Sequence, residues 1–138
     1  MFAFITGATS GIGLAAAKAL AQKGYDLAIA ARNESKLEEV KTEIKTEYPV
    51  KVETYVLDVR DGEAVKKVTK KCLENWGAPD ILLNDAGLAR GLEPYGETLP
   101  EDIVQMIDTN IKGLFLVTRA FLPEMVKRNS EIGRASCR

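Results

Sequence analysis

Apolar residues fall into short unbroken runs, separated by longer stretches in which they recur every three to four positions. The unbroken runs predict strands and the periodic stretches predict helices. Met1 to Thr6 is the first strand, closed by glycine. Gly11 to Lys23 carries Ile12, Ala15, Ala16, Ala19 and Leu20 at helical spacing, and Gly24 ends it at the position after the cap. Tyr25 to Ala31 is the second strand. Asn33 or Ser35 can cap a second helix with Leu37, Val40 and Ile44 as its inward stripe, stopped by Pro49. Lys51 to Leu57 is the third strand. Asp61 can cap a third helix, striped by Val65, Val68, Cys72 and Trp76 and ended by Gly77. Asp80 to Asn84 is the fourth strand, followed by a loop with Gly87, Gly91, Pro94 and Gly96. Thr98 to Glu101 reads as a capping box with Pro100 in the first turn. From it a long helix with Ile103, Ile107, Ile111, Leu114, Phe115, Phe121, Leu122 and Met125 runs to about Lys127.

The order β-α-β-α-β-α-β-α, with strands that are apolar throughout, belongs to a parallel sheet covered on both faces. Right-handed crossovers make the doubly wound sheet the simplest topology. The expectation is a Rossmann-like α/β domain over residues 1–129, truncated after about four strands and four helices. There is no internal repeat or linker. The final stretch "SEIGRASCR", Ser130 to Arg138, is polar and basic and looks like a vector-derived tail, so it is left out of the fold. Ser136 within it has no preceding strand to position it. The apolar fourth strand would then form an open edge.

Composition narrows the function. With 46% hydrophobic and 28% charged residues and a net charge of −1, there is no basic field to collect nucleic acid or anionic lipid. No apolar run spans a bilayer and no secretion signal opens the chain, so a cytoplasmic setting is expected. The two cysteines, Cys72 and Cys137, form no CxxC pattern, and Cys72 reads as a small buried hydrophobe. The chain has no histidine, which excludes Ser–His and Cys–His nucleophilic sites and histidine-ligated metals within it.

Three glycines in "TGATSGIG", Gly7, Gly11 and Gly13, stand at the turn from the first strand into the first helix. A helix N-terminus at the carboxyl end of a doubly wound sheet favours phosphate. Gly7 permits the tight turn, Gly11 lets the backbone approach a pyrophosphate, and Gly13 allows close helix–strand contact. Thr9 and Ser10 add hydroxyl donors. The Gly-x-x-x-Gly-x-Gly spacing is neither the general dinucleotide fingerprint nor a Walker loop. A tight turn without a ligand is the competing reading.

"TGATSGIG", "LDV" (Leu57 to Val59), "NDAG" (Asn84 to Gly87) and "MIDTNIKG" (Met106 to Gly113) occur in that order. Together they resemble the N-terminal half of the short-chain dehydrogenase/reductase family, over residues 1 to about 129. The segments around Asn84 and from Met106 onward look closest to its branch of NADP-dependent 3-hydroxy acid dehydrogenases. The resemblance implies that Gly7, Ser10, Gly11, Ile12 and Gly13 hold the pyrophosphate and adjoining ribose. It implies that Asp58 and Val59 meet the adenine, Asp58 accepting from its amino group. Asn84, Ala86 and Gly87 would line the adenosine and nicotinamide-ribose side. Asn110 matches the family's catalytic asparagine, whose backbone carbonyl holds a water of a proton relay. Asp85 departs from the family's usual second asparagine. Independently of the motif, an asparagine in mid-helix among apolar residues breaks a local rule, as functional residues often do.

An NAD-type site needs an acid at the end of the second strand. This chain has Arg32 there, with Asn33 beside it and no acid before Glu34, which points to the 2′-phosphate of NADP. The family also needs a serine and a tyrosine followed four residues later by lysine. None of Tyr25, Tyr48, Tyr55 and Tyr95 has that lysine. The chain therefore reads as the cofactor-holding half of an oxidoreductase for a small hydroxy acid or carbonyl substrate, and the resemblance implies that the parent is a homo-oligomer. The alternative is a non-catalytic nucleotide-binding or interaction module.

Overall fold

The computed structural model describes residues 1–90 and 93–128, Tyr95 by its backbone only, and the backbone of 131–134. Gly91, Ser136 and Cys137 lie outside the described residues. The elements are β1 (Phe2–Thr6), α1 (Gly11–Gln22), β2 (Asp26–Ala31), α2 (Glu34–Glu47), β3 (Val52–Val56), α3 (Gly62–Trp76), β4 (Ile81–Asn84), α4 (Pro100–Ile107), a π-helical segment (Asp108–Gly113), α5 (Leu114–Arg128) and β5 (Glu131–Arg134). All strand pairs are parallel, in the order β3-β2-β1-β4-β5. This is the doubly wound α/β architecture that the strand–helix alternation predicts.

Alternation along β1 builds two cores. Phe2 and Phe4 face α3 and α5 together with Tyr55, Cys72, Leu82, Val117, Phe121 and Met125. Ala3 and Ile5 face α1 and α2 with Ala17, Ala21, Leu37, Val40 and Ile44. The rings of Phe4 and Phe121 lie 4.6 Å apart, a tilted pair that fixes α5 on the sheet. Burial pushes the Cys72 thiol up to about 12, so it stays a neutral thiol within the apolar core. In α3, Val65, Thr69 and Cys72 are buried, while Val68 and Trp76 are only partly so. At the opposite end of the sheet from the glycine turn, Asp80 accepts the Phe2 amide at 2.7 Å and an Arg128 guanidinium N–H at 3.0 Å.

Three expectations are corrected. Thr98 does not cap α4: Leu99 occupies that position without a side-chain bond, and Pro100 starts the helix. With proline first, its missing N–H and fixed φ cost nothing, so no capping box is needed there. The long helix is also interrupted, because the six residues Asp108–Gly113 open into a π segment. Finally, β4 is not an open edge. Glu131–Arg134, set outside the fold on composition, pairs with it from Ile81↔Glu131 to Asn84↔Arg134. An apolar strand with unpaired backbone groups accepts any neighbouring segment that can extend, whatever that segment's polarity.

Candidate functional site

The chain winds from β1 through β2 to β3, then returns to the other side of β1 with β4. The direction of winding reverses there, and a crevice opens beyond the carboxyl ends of β1 and β4. A groove of about 860 Å³ occupies this crevice. Its floor is the β1–α1 turn and residues Asp85 to Gly87, and it runs past the ends of β2 and β3 to the start of α2.

The glycine turn is shaped by contact as well as by φ. Gly7 (φ +70°) is pressed against the backbone after β4: a Cβ there would meet the Asp85 carbonyl carbon at 2.6 Å and the Ala86 nitrogen at 2.7 Å. At Gly13 a Cβ would strike the Gly7 carbonyl and the Asp85 carboxylate, the latter at 2.6 Å. Gly11 (φ +55°) faces open space, with nothing within 4 Å of a would-be Cβ. That is the free approach which the sequence assigns to it. Ser10 takes the N-cap position of α1 but its side chain caps nothing, and no acidic residue sits in the first turn. The helix N-terminus, with its positive dipole end, thus opens on the groove without an acceptor from its own turn.

Of the residues singled out in the sequence, Gly7, Thr9, Ser10, Gly11, Ile12, Arg32, Asn33, Asp58, Val59, Ala86 and Gly87 line the groove. Asn33 also caps α2, its side-chain oxygen accepting the Lys36 amide at 3.0 Å, so the open choice between Asn33 and Ser35 falls to Asn33. Gly13 lies beneath the groove floor as a packing residue. Asn84 is not in the lining: it is buried, and its Nδ2 donates to Thr118 Oγ1 at 3.0 Å, joining β4 to α5. Residues at the end of a strand alternate in direction, and Asn84 takes the helix side.

Asp58 stands in the groove with its carboxylate already engaged. Arg60 donates its backbone amide to Oδ1 at 3.0 Å and its side chain to both oxygens, Nη2 reaching Oδ2 at 2.6 Å. These bonds hold the carboxyl of Asp58 below the usual carboxylate range, so it faces the groove as an ionised acceptor. Sequence reasoning did not weigh Arg60, although an arginine two residues after an aspartate was visible.

Asn110 sits outside the lining, in the π segment. Its Oδ1 accepts the Leu88 amide and its Nδ2 donates to the Leu88 carbonyl, both at 2.9 Å. The side chain pairs with this backbone as a neighbouring strand would, and so pins the loop beyond β4. Its resemblance-based role concerned the backbone carbonyl; the side chain's positioning of Leu88 was not read. Thr109, also unread, lines the groove. Glu34, Ser35 and Lys36 at the start of α2 complete its far end.

The switch-point groove, the helix N-terminus without a side-chain cap and the glycine turn define an α/β domain of the dinucleotide-binding class. The short chain dehydrogenase family model matches residues 1–134, and the chain belongs to that family. It is 42% identical over 128 residues to a probable NADP-dependent dehydrogenase of Haemophilus influenzae, covering 92% of this chain and 49% of that protein. It is 40% identical over 129 residues to the NADP-dependent 3-hydroxy acid dehydrogenase YdfG of Salmonella typhi, covering 94% and 50%. An alcohol dehydrogenase from Thermococcus sibiricus complexed with 5-hydroxy-NADP superposes with a TM-score of 0.92 at 36% identity, over 96% of this chain and 56% of that one. The chain spans about half the length of the curated relatives it matches.

Proposed function

We propose that this chain is the NADP(H)-holding half of a short-chain oxidoreductase whose whole form transfers hydride between NADP and a small hydroxy acid or the matching carbonyl compound. The observation that carries the cofactor choice is Arg32, which follows β2 directly and lines the groove without an acid before Glu34. An arginine there attracts a 2′-phosphate, whereas a carboxylate would repel it. The relatives described as NADP-dependent support the same choice. The groove fits the cofactor: its glycine turn leaves Gly11 open to close approach, and a positive helix end waits without a cap.

In this reading Gly7, Thr9, Ser10, Gly11 and Ile12 receive the pyrophosphate and ribose. Asp58 and Val59 receive the adenine, and Ala86 and Gly87 line the adenosine and nicotinamide-ribose side. Bound nicotinamide supplies the hydride donor or acceptor. Asn110 fixes the loop beyond β4 through Leu88, and its backbone carbonyl would hold the relay water. The 138 residues hold no tyrosine followed four positions later by lysine, so the chain alone is expected to bind and not to turn over.

The test is a fluorescence or calorimetric titration with NADPH and NADH. NADPH should bind at least about tenfold more tightly, as one charge-assisted bond is worth about 1.5–3 kcal/mol. Arg32→Asp should abolish or reverse the preference. Equal affinities before and after the substitution would overturn the assignment.

A further inference from the structure

Asp85 is a buried acid that the proposed function does not use. It is 6% exposed, and its Oδ1 has no hydrogen-bond partner. Its backbone is locked in place: its own amide and that of Ala86 both donate to Thr6 Oγ1 at 3.1 Å. Its carboxylate is therefore held beneath the glycine turn, against Gly13 in the first turn of α1, and it borders the groove.

The groups around it do not neutralise its charge. β1 offers the Thr6 hydroxyl, already an acceptor for two amides, and α1 has no charged residue in its first turn. β4 offers Asn84, whose amide is spent on Thr118, and the π segment offers Thr109. The charged groups of the groove are Arg32, Glu34 and Lys36 at the end of β2 and the start of α2, and Asp58 after β3, which is paired with Arg60. Among the described residues only the Gly13 amide favours the ionised form of Asp85. Burial outweighs it and moves the carboxyl above the usual carboxylate range.

A dinucleotide brings a doubly charged pyrophosphate to the same helix N-terminus that faces Asp85. Two anions at one positive dipole end repel each other, the more so where one of them is buried. We propose that the Asp85 carboxylate and the cofactor pyrophosphate compete for the N-terminus of α1, and that binding is completed by a proton taken from solvent onto Asp85. The new O–H bond removes one negative charge from beneath the glycine turn and converts an unpartnered acceptor into a donor. This inference rests on the dinucleotide reading above.

The experiment is calorimetric titration of the 138-residue chain with NADPH from pH 4.5 to 8.5, in buffers of contrasting ionisation enthalpy. A 2′-phosphate itself titrates near pH 6, so the signal is the difference between the unmodified chain and Asp85→Asn. The unmodified chain should take up as much as one additional proton. Its affinity should fall by up to about tenfold per pH unit between the free and bound pKa values of Asp85. Asp85→Asn should lose both effects and bind more tightly than the unmodified chain at pH 8. A carbon-13 titration of the Asp85 carboxyl in the unmodified chain, free and NADPH-bound, gives the same answer should the variant not fold. Identical proton uptake in both proteins, or an Asp85 carboxyl whose titration does not move on binding, overturns the inference alone. Absence of NADPH binding to either protein overturns the dinucleotide reading and this inference with it.

Discussion

At the scale of single residues, two glycines two positions apart are required for different reasons. Gly11 sits at φ +55° in open space, so alanine there meets only the left-handed backbone penalty of about 1–2 kcal/mol. At Gly13 the obstacle is the Gly7 carbonyl, part of a turn that is itself pressed on the Asp85–Ala86 backbone, so neither neighbour can give. Gly13→Ala should therefore cost more than Gly11→Ala, at or above the roughly 1–3 kcal/mol usual for overpacking. Urea denaturation of the two variants would measure it, and equal losses would contradict the packing argument. The tight turn at Gly7 and the close packing at Gly13 were legible in the sequence, because glycine is costly in an element and needs a reason to be there. The partner of Asn84 was not, because Thr118 lies 34 residues away and meets it only once α5 packs on the sheet.

At the scale of elements, the π segment sets the fold apart from its sequence reading. Four of the six residues of Asp108–Gly113 (Asp, Thr, Asn and Gly) are poor helix formers, and that composition was the available signal. The apolar periodicity around it masked the break. Ile107 and Ile111 were read together with Phe121 and Met125, yet the first two are exposed and the last two buried. The widened turn brings Gly113 against Val59, where a Cβ would lie 2.5 Å from Val59 Cγ2. It also carries Asn110 to Leu88. Such π segments concentrate at functional sites. Asn110→Ala should leave the Leu88 amide and carbonyl without partners, at a cost of about 1–3 kcal/mol. Amide exchange at Leu88 should quicken, while that of β1 and β2 changes only in step with global stability. Unchanged exchange at Leu88 would show that the loop is held by other contacts.

At the scale of the whole molecule, the parallel sheet and the core on each of its faces follow from the alternation of apolar runs and periodic stretches, since such a sheet must be covered on both sides. The fifth strand was not legible, because pairing is specified by β4's unmet backbone groups and not by side chains of the segment that meets them. An open, apolar β4 edge would favour association, and β5 covers it. β4 has a neighbour, so edge-to-edge pairing at β4 is no longer the driver. What remains is the outer face of α4, the π segment and α5. Val117, Phe121 and Met125 turn inward there, and Val104, Ile107, Ile111, Phe115, Leu122 and Val126 turn out. Phe115 is 66% and Val126 68% exposed, in a stripe interrupted by Arg119 and Lys112. Even interrupted, a row of large exposed apolar side chains favours association in water, and burying one such side chain contributes about 1.5–3 kcal/mol. The chain should self-associate at tens of micromolar (a rough range), and Phe115→Glu combined with Val126→Lys should shift it towards monomer without altering its circular dichroism. Sedimentation velocity separates the outcomes. A stable monomer before substitution would mean that the outer helix face is covered by the chain itself, and a mutant that still associates would move the contact to another surface.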